Sequence, residues 1–159
     1  MILFIHYHYN RNKIVDLSYQ DLKEYSKNIF NQMQNKNFYP DAIVIPLRGG
    51  LFLAQEILYF DENDGKNVDV FIINLKTYND KTKDKTTLKQ DFDFETLSKY
   101  QNVLIVDDIC DSGETLQFLK ENIKNPNVKT AVLIDKTETC DFYGNQNQSE
   151  DWIKFPWDN

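Results

Sequence analysis

Two adjacent acids, followed by a turn of hydroxyl and glycine residues, stand out in this 159-residue sequence. Asp107 and Asp108 come directly after the apolar run 103–106, and the segment 111–115, Asp-Ser-Gly-Glu-Thr, begins after two intervening residues. Backbone N–H groups at such a turn, together with the electropositive start of a helix, can hold a phosphate. Paired carboxylates suit the vicinal hydroxyls of a sugar and a hard cation such as Mg²⁺. The pattern predicts a sugar-phosphate site, and the plainer alternative is a strand followed by a capped helix.

A second motif is the segment 46–50, Pro-Leu-Arg-Gly-Gly, between an apolar run and a helical pattern. Its two glycines let the backbone approach a ligand closely, because they carry no Cβ atom. Arg48 can offer a positive charge to a phosphate. The alternative is an ordinary turn between a strand and a helix, but the position about one strand-helix-strand unit before the acids favours a second phosphate contact.

A candidate base site involves Lys136, which follows the apolar run 131–135, and the pair Trp152 and Ile153. An aromatic ring can stack on a purine, and an ammonium group can donate to a carbonyl oxygen. The alternatives are a surface lysine and a tryptophan packed in the core.

Three further features have simpler interpretations. His6 and His8 could pair on a metal, but the sequence shows no third ligand, which favours a structural or surface role. Cys110 is interpreted as a small apolar filler rather than a nucleophile. The polar and lysine-rich stretch 79–93 is typical of a mobile surface loop.

The order of apolar patterns predicts the architecture. Ser18 can cap a helix whose apolar residues recur every three or four positions as far as Met33. The predicted strands are 1–9, 41–46, 68–75, 103–106 and 129–134, the later helices are 51–60 and 115–123, and the segment 135–159 is expected to be irregular. The alternation predicts an α/β fold with a central parallel sheet flanked by helices, and with ligands beyond the carboxyl ends of the strands.

Composition limits the class of protein. An apolar fraction of 41% is enough for one packed domain over residues 1–159. The net charge of −7 argues against nucleic acid as a partner, because phosphate backbones favour Lys/Arg surfaces. Two cysteines make no disulfide framework and no secretory segment is visible, which predicts a cytoplasmic protein. No apolar run approaches the ~20 residues of a membrane helix, so no membrane anchor is expected.

The run 103–115 resembles the signature of the type I phosphoribosyltransferases, in which two acids precede a phosphate loop. Ser112 stands where that signature has a threonine, and the hydroxyl is kept. The resemblance implies that the acids hold the ribose hydroxyls, that Asp108 also reaches Mg²⁺, and that Asp111 is the general base at the purine N7. The residues that it implies for the ribose phosphate are Asp107, Asp108, Asp111, Ser112, Gly113, Glu114 and Thr115.

The segment 151–158 resembles the tail of the bacterial xanthine-guanine phosphoribosyltransferases. In that group the Trp-Ile pair holds the base, which implies this role for Trp152 and Ile153. The lysine after the strand recognises the 6-oxo group, which implies this role for Lys136. Asp158 would contact a second Mg²⁺ ion.

The segment 46–50 resembles the pyrophosphate loop of the same family, in which the peptide bond before the basic residue is often cis. Arg48 and Gly49 would then hold pyrophosphate. The resemblance further implies that the loop 79–93 closes over the reacting sugar, that residues 137–159 build a small hood, and that the chain forms a homodimer or homotetramer.

Taken together, the resemblance implies a magnesium-dependent enzyme of purine salvage. It would transfer the 5-phosphoribosyl group of 5-phosphoribosyl 1-pyrophosphate (PRPP) to guanine, xanthine or hypoxanthine and release pyrophosphate. Two alternatives stay open from the sequence, namely a phosphoribosyltransferase for another base and a non-catalytic regulator of the same fold that senses PRPP.

Overall fold

The structure, a computed structural model, describes residues 13–61, 67–80, 85–89 and 92–158. The strands in this part of the chain are β1 (Ile14–Asp16), β2 (Ala42–Pro46), β3 (Asp69–Ile73), β4 (Lys76–Asp80), β5 (Lys85–Lys89), β6 (Val103–Cys110), β7 (Val128–Asp135), β8 (Phe142–Gln146) and β9 (Trp152–Lys154). The helices are α1 (Tyr19–Asn35), α2 (Leu51–Asp61), α3 (Glu114–Asn122) and a 3-10 helix (Phe94–Lys99). None of these helices combines the length and the apolar character needed to cross a membrane.

The central sheet has five strands in the order β3-β2-β6-β7-β8, and every neighbouring pair is parallel. Side chains of β2 alternate between its two faces, as strand geometry requires. Ile43 and Ile45 pack with α1 and α2, whereas Ala42 and Val44 pack with α3 and the 3-10 helix. Both faces are covered, which explains why β2 is apolar throughout. The predicted α/β fold is confirmed.

Helix α1 begins where its sequence predicts. The Ser18 hydroxyl accepts a hydrogen bond from the backbone N–H of Asp21 (3.2 Å), and the Asp21 carboxylate accepts one from the backbone N–H of Ser18 (2.8 Å). This reciprocal capping box satisfies two N–H groups that a helix start leaves without partners. Leu22, Ile29 and Met33 form the buried face, so the helix covers one side of the sheet.

The end of the chain is more regular than predicted, so the expectation of an irregular segment 135–159 was wrong. Strand β8 forms the edge of the central sheet, and β9 pairs in parallel with β1. The proposed hood over residues 137–159 is therefore divided between the main sheet and this two-stranded sheet. Within the stretch 79–93, β5 pairs with β4 as an antiparallel hairpin. The predicted strand 1–9, with His6 and His8, lies outside the described residues.

The β1–β9 sheet is anchored to the main core. Ile153 and Phe155 are buried in the cluster that also contains residues of α1, α2 and β6. The Trp157 ring stacks on Phe155, with 5.0 Å between the ring centroids and an angle of 3° between the planes. This packing fixes the last residues of the chain beside the sheet.

Candidate functional site

The turns that follow β2, β6 and β7 meet at the carboxyl edge of the central sheet, because these strands are neighbours in it. Arg48 follows β2, Asp107 and Asp108 lie in the last part of β6, and Lys136 follows β7. The backbone N–H of Lys136 donates to the carbonyl of Cys110 (2.9 Å), which joins the ends of β6 and β7. The motifs predicted from the sequence are thus brought to one edge.

The two glycines after Arg48 allow the first turn to lie against β6. A Cβ atom on Gly49 would overlap the Asp108 carboxyl group, and one on Gly50 would overlap the carbonyl of Val106. The close approach predicted for these glycines is therefore made to the neighbouring strand. The peptide bond between Leu47 and Arg48 is cis, as the resemblance implied.

Asp107 and Asp108 are two adjacent carboxyl groups in β6, called the acid pair below. Burial, and then the negative charge of Asp108, raise the pKa of Asp107 well above its usual range. The Asp107 carboxylate accepts a hydrogen bond from the backbone N–H of Asp108 (2.9 Å), which favours the charged form and opposes part of that rise. Two half-buried acids side by side are expensive to ionise unless a cation or several donors reach them.

Asp158 contributes a third carboxylate. Burial is the largest cause of the raised pKa of Asp108, and the charge of Asp158 adds to it. Asp158 itself accepts a hydrogen bond from the backbone N–H of Phe155 (2.9 Å), which holds its side chain. Within the described residues, none of the three carboxylates forms an ion pair. Hard oxygen donors without a compensating side-chain cation are of the type that suits Mg²⁺, and the assignment of Asp108 and Asp158 as its ligands stays a prediction.

The turn at residues 111–115, called the phosphate turn below, has a backbone geometry that can bind an anion. Gly113 has a φ of 80°, a left-handed conformation that glycine adopts easily, and it begins α3 without a side-chain cap. The hydroxyl of Ser112 accepts a long hydrogen bond from the backbone N–H of Glu114 (3.4 Å). Asp111, Ser112 and Glu114 are exposed, while Thr115 is half-buried. The predicted phosphate loop is therefore accessible at the start of a nine-residue helix.

Lys136 and Trp152 of the predicted base site line one cavity of about 440 Å³ together with Asp111, the predicted general base; it is called the base cavity below. Ser149 and Asp151 also line it. The ammonium group of Lys136 donates to the carbonyl of Asp151 (2.9 Å) and lies 3.4 Å from the Asp111 carboxylate. Cavities that hold small organic ligands begin at roughly 300 Å³, so the volume of this cavity is in the range of such sites.

Ile153 differs from its neighbour Trp152. The Trp152 side chain is mostly exposed, whereas the Ile153 side chain is buried in the main core. Alternation along β9 explains the difference, since successive strand residues point to opposite faces. Of the predicted Trp-Ile pair, only the tryptophan presents its side chain to the base cavity.

Asp135 is a site residue that the sequence analysis missed, because it ends an apolar run. It is fully buried, and its carboxylate accepts hydrogen bonds from the backbone N–H groups of Thr137 (2.9 Å), Glu138 (3.0 Å) and Cys140 (3.1 Å). A carboxylate that accepts from the chain just after it is the mark of an Asx-type turn. Asp135 therefore shapes the turn that carries Lys136. Its position after the strand and before a Lys-Thr pair was the available signal.

Known proteins resemble this chain in sequence and in fold. Residues 10–158 match the family described as the phosphoribosyl transferase domain. A hypoxanthine-guanine phosphoribosyltransferase of Lactococcus lactis is 34% identical over 73% of this chain, which spans only 61% of that protein's length. A xanthine-guanine phosphoribosyltransferase of Idiomarina loihiensis is 26% identical over 96% of this chain and 90% of its own length. A purine phosphoribosyltransferase from Pyrococcus horikoshii superposes with a TM-score of 0.73 and 26% identity, covering 92% of this chain and 95% of its own.

Proposed function

Since this chain belongs to the phosphoribosyltransferase family, we propose that it transfers the 5-phosphoribosyl group of PRPP to a 6-oxopurine and releases pyrophosphate. The observation that carries this proposal is the base cavity, where Asp111, Lys136 and Trp152 meet beside the phosphate turn. The relatives named for hypoxanthine, guanine and xanthine support the same substrate class.

The sugar phosphate would occupy the edge formed by β6 and α3. The acid pair would accept hydrogen bonds from the two ribose hydroxyls, and the amides and hydroxyls of residues 111–115 would hold the 5′-phosphate. Arg48 and Gly49 would contact pyrophosphate. Asp108 would hold Mg²⁺ and Asp158 would contact a second Mg²⁺ ion, and these ions would supply positive charge for the pyrophosphate oxygens.

The base would enter the cavity between Lys136 and Trp152. The Lys136 ammonium would donate to the 6-oxo group, while the indole of Trp152 stacks on the ring. Asp111 is mostly exposed, and it would accept the proton at N7. A 6-amino group is a donor, so adenine would meet Lys136 with the wrong polarity.

Three wider features belong to the same proposal. The loop 79–93, which contains β5, would close over the reacting sugar and exclude water. The hood would consist of the part of residues 137–159 that surrounds the base cavity. The protein would work in the cytoplasm as a homodimer or homotetramer.

The deciding experiment is to measure pyrophosphate release from PRPP and Mg²⁺ with six bases: guanine, xanthine, hypoxanthine, adenine, uracil and orotate. We expect turnover with the three 6-oxopurines, and much weaker turnover with adenine and the pyrimidines. Turnover confined to a pyrimidine would replace this proposal with a transferase for another base. Tight PRPP binding without release from any base would instead support the sensing regulator.

A further inference from the structure

Two thiols and a buried carboxylate converge directly beneath the phosphate turn. The Cys110 and Cys140 sulfur atoms and a carboxylate oxygen of Asp135 all lie within 4.8 Å of one another. The sheet explains part of this, because Cys110 is the register partner of Asp135 across β6 and β7. The turn after β7 then brings Cys140 back to the same point.

We propose that Cys110, Asp135 and Cys140 form a binding site for a thiophilic divalent cation such as Zn²⁺. This site is called the thiol site below. Thiolate and carboxylate ligands are a donor set that Zn²⁺ accepts, with distances of about 2.3 Å to sulfur and 2.0–2.2 Å to oxygen. Two tetrahedral ligands at those distances lie roughly 3.5–3.8 Å apart. Since the three atoms lie within 4.8 Å of one another, a contraction of at most about 1.3 Å would suffice.

The carboxylate of the thiol site is already oriented. Its Oδ1 accepts from the backbone of Thr137 and Glu138 and from the Thr137 hydroxyl (2.9 Å), whereas its Oδ2 accepts from the Cys140 N–H. Among the described residues, Oδ2 has that one donor, so a second lone pair is free for a cation. The Thr137 hydroxyl also lies 3.2 Å from the Cys110 sulfur. Such contacts hold ligands in place before the metal arrives.

The charge balance also favours a divalent cation. Two thiolates and one carboxylate together carry a charge of −3. A divalent ion bound by them, with the thiol protons released to solvent, leaves a net charge of −1, so the ion compensates most of the buried charge.

The thiol site has an entrance and room for a fourth ligand. A cavity of about 410 Å³ is lined by Cys140, Thr137, Thr139 and the turn residues Ser112 and Gly113. A water molecule in this cavity could complete four-fold coordination. A bound cation would tie the turn after β7 to the end of β6, one residue before Asp111.

The test uses Co²⁺ as a spectroscopic substitute for Zn²⁺ in the full chain, stripped with chelator and with both thiols titrated as free. We expect one Co²⁺ per chain, visible absorption of four-coordinate type and a near-ultraviolet charge-transfer band from thiolate ligands. Added Zn²⁺ should remove the cobalt spectrum. Absence of the charge-transfer band in this reduced protein would overturn the proposal.

Two variants locate the ligands. We expect each of Cys140→Ser and Cys140→Ala to reduce the charge-transfer band to half or less. Each should also weaken Co²⁺ binding at least tenfold, and circular dichroism should show that the fold is intact. The control combines His6→Ala with His8→Ala, since imidazoles are the other side chains suited to this ion; it should leave the band unchanged. A full band in both folded Cys140 variants would refute the thiol site. Because no readout depends on turnover, the result is independent of the proposed transferase activity.

Discussion

Asp111 and Lys136 form an ion pair in this structure, although the proposed reaction gives them different roles. Their charged atoms lie 3.4 Å apart, but the Asp111 side chain is 72% exposed. Ion pairs of this kind contribute about 0–1 kcal/mol, since water competes for the charges. Breaking this ion pair would therefore cost little free energy. An entering purine could contact the Asp111 carboxylate through N7 and the Lys136 ammonium through its 6-oxo group.

A substitution at Asp111 tests its assignment as general base. Asp111→Asn keeps the size of the side chain but cannot accept the N7 proton, so we expect kcat to fall by roughly 10²–10⁴-fold. The dissociation constant for PRPP should change less than threefold. Steady-state rates and a direct binding titration of PRPP measure the two quantities separately.

Trp152→Ala is the matched control for that experiment. The indole is exposed and is proposed to contact the base alone, so its loss should raise the KM for guanine and leave PRPP affinity unchanged. If Asp111→Asn weakens PRPP binding as much as it lowers kcat, the carboxylate of Asp111 mainly supports the phosphate turn.

At the scale of secondary-structure elements, Asp141 lies just before β8 and connects that strand to β7 and α3. Its carboxylate accepts hydrogen bonds from the Thr130 backbone N–H in β7 (2.9 Å), from Lys129 in β7 (3.0 Å) and from Lys120 in α3 (3.2 Å). Burial by itself would raise the pKa of Asp141, but the bonds from Lys129 and Thr130 and the charge of Lys120 outweigh it, so the pKa is lowered.

This lowered pKa predicts a dependence of stability on pH. An acid with a depressed pKa in the folded state stabilises the fold above its unfolded pKa, about 3.9, and loses that effect as pH falls through the folded value. Asp141→Asn should therefore lower the free energy of unfolding by about 1–2 kcal/mol at pH 7. The difference should shrink steadily below pH 4, as measured by urea denaturation.

Asp16→Asn provides the comparison, because the pair of Asp16 and Lys154 is exposed and 3.8 Å long. It should change the unfolding free energy by less than about 0.5 kcal/mol at either pH. An equal loss from both substitutions would show that Asp141 acts as an ordinary surface charge.

The elements also show what a sequence can and cannot predict. The central strands were found because burial on both faces makes them apolar runs. The acid pair was expected after a strand ending at residue 106, whereas β6 continues through both acids to Cys110, because the acids interrupt the apolar run without ending the strand. Strand β8 was missed, since Phe-Tyr-Gly-Asn-Gln is a half-polar edge. Strand β9 is three residues long and pairs with β1, where Ile14 is the partner of Trp152. A local sequence pattern cannot predict a pairing between segments so far apart in the chain.

At the scale of the whole molecule, one apolar groove is large enough to matter for assembly. It lies between α1, α2 and β3, has a volume of about 980 Å³, and includes exposed side chains of Leu51, Tyr59, Val70 and Ile72. Exposed apolar patches of this kind mark interaction surfaces in soluble proteins. Lysines and glutamates both line the groove, which allows two copies to pair with opposite charges facing.

The proposed homo-oligomer should therefore use this groove. Light scattering after gel filtration should give a mass of at least two chains for the unmodified protein. Tyr59→Lys combined with Ile72→Lys should shift it to one chain, because each lysine would bury a charge against an apolar surface. Ile14→Lys alters an equally exposed isoleucine in β1 and should leave the mass unchanged. A single-chain mass for the unmodified protein, or an oligomer that survives the double substitution, would place the contact elsewhere or remove it.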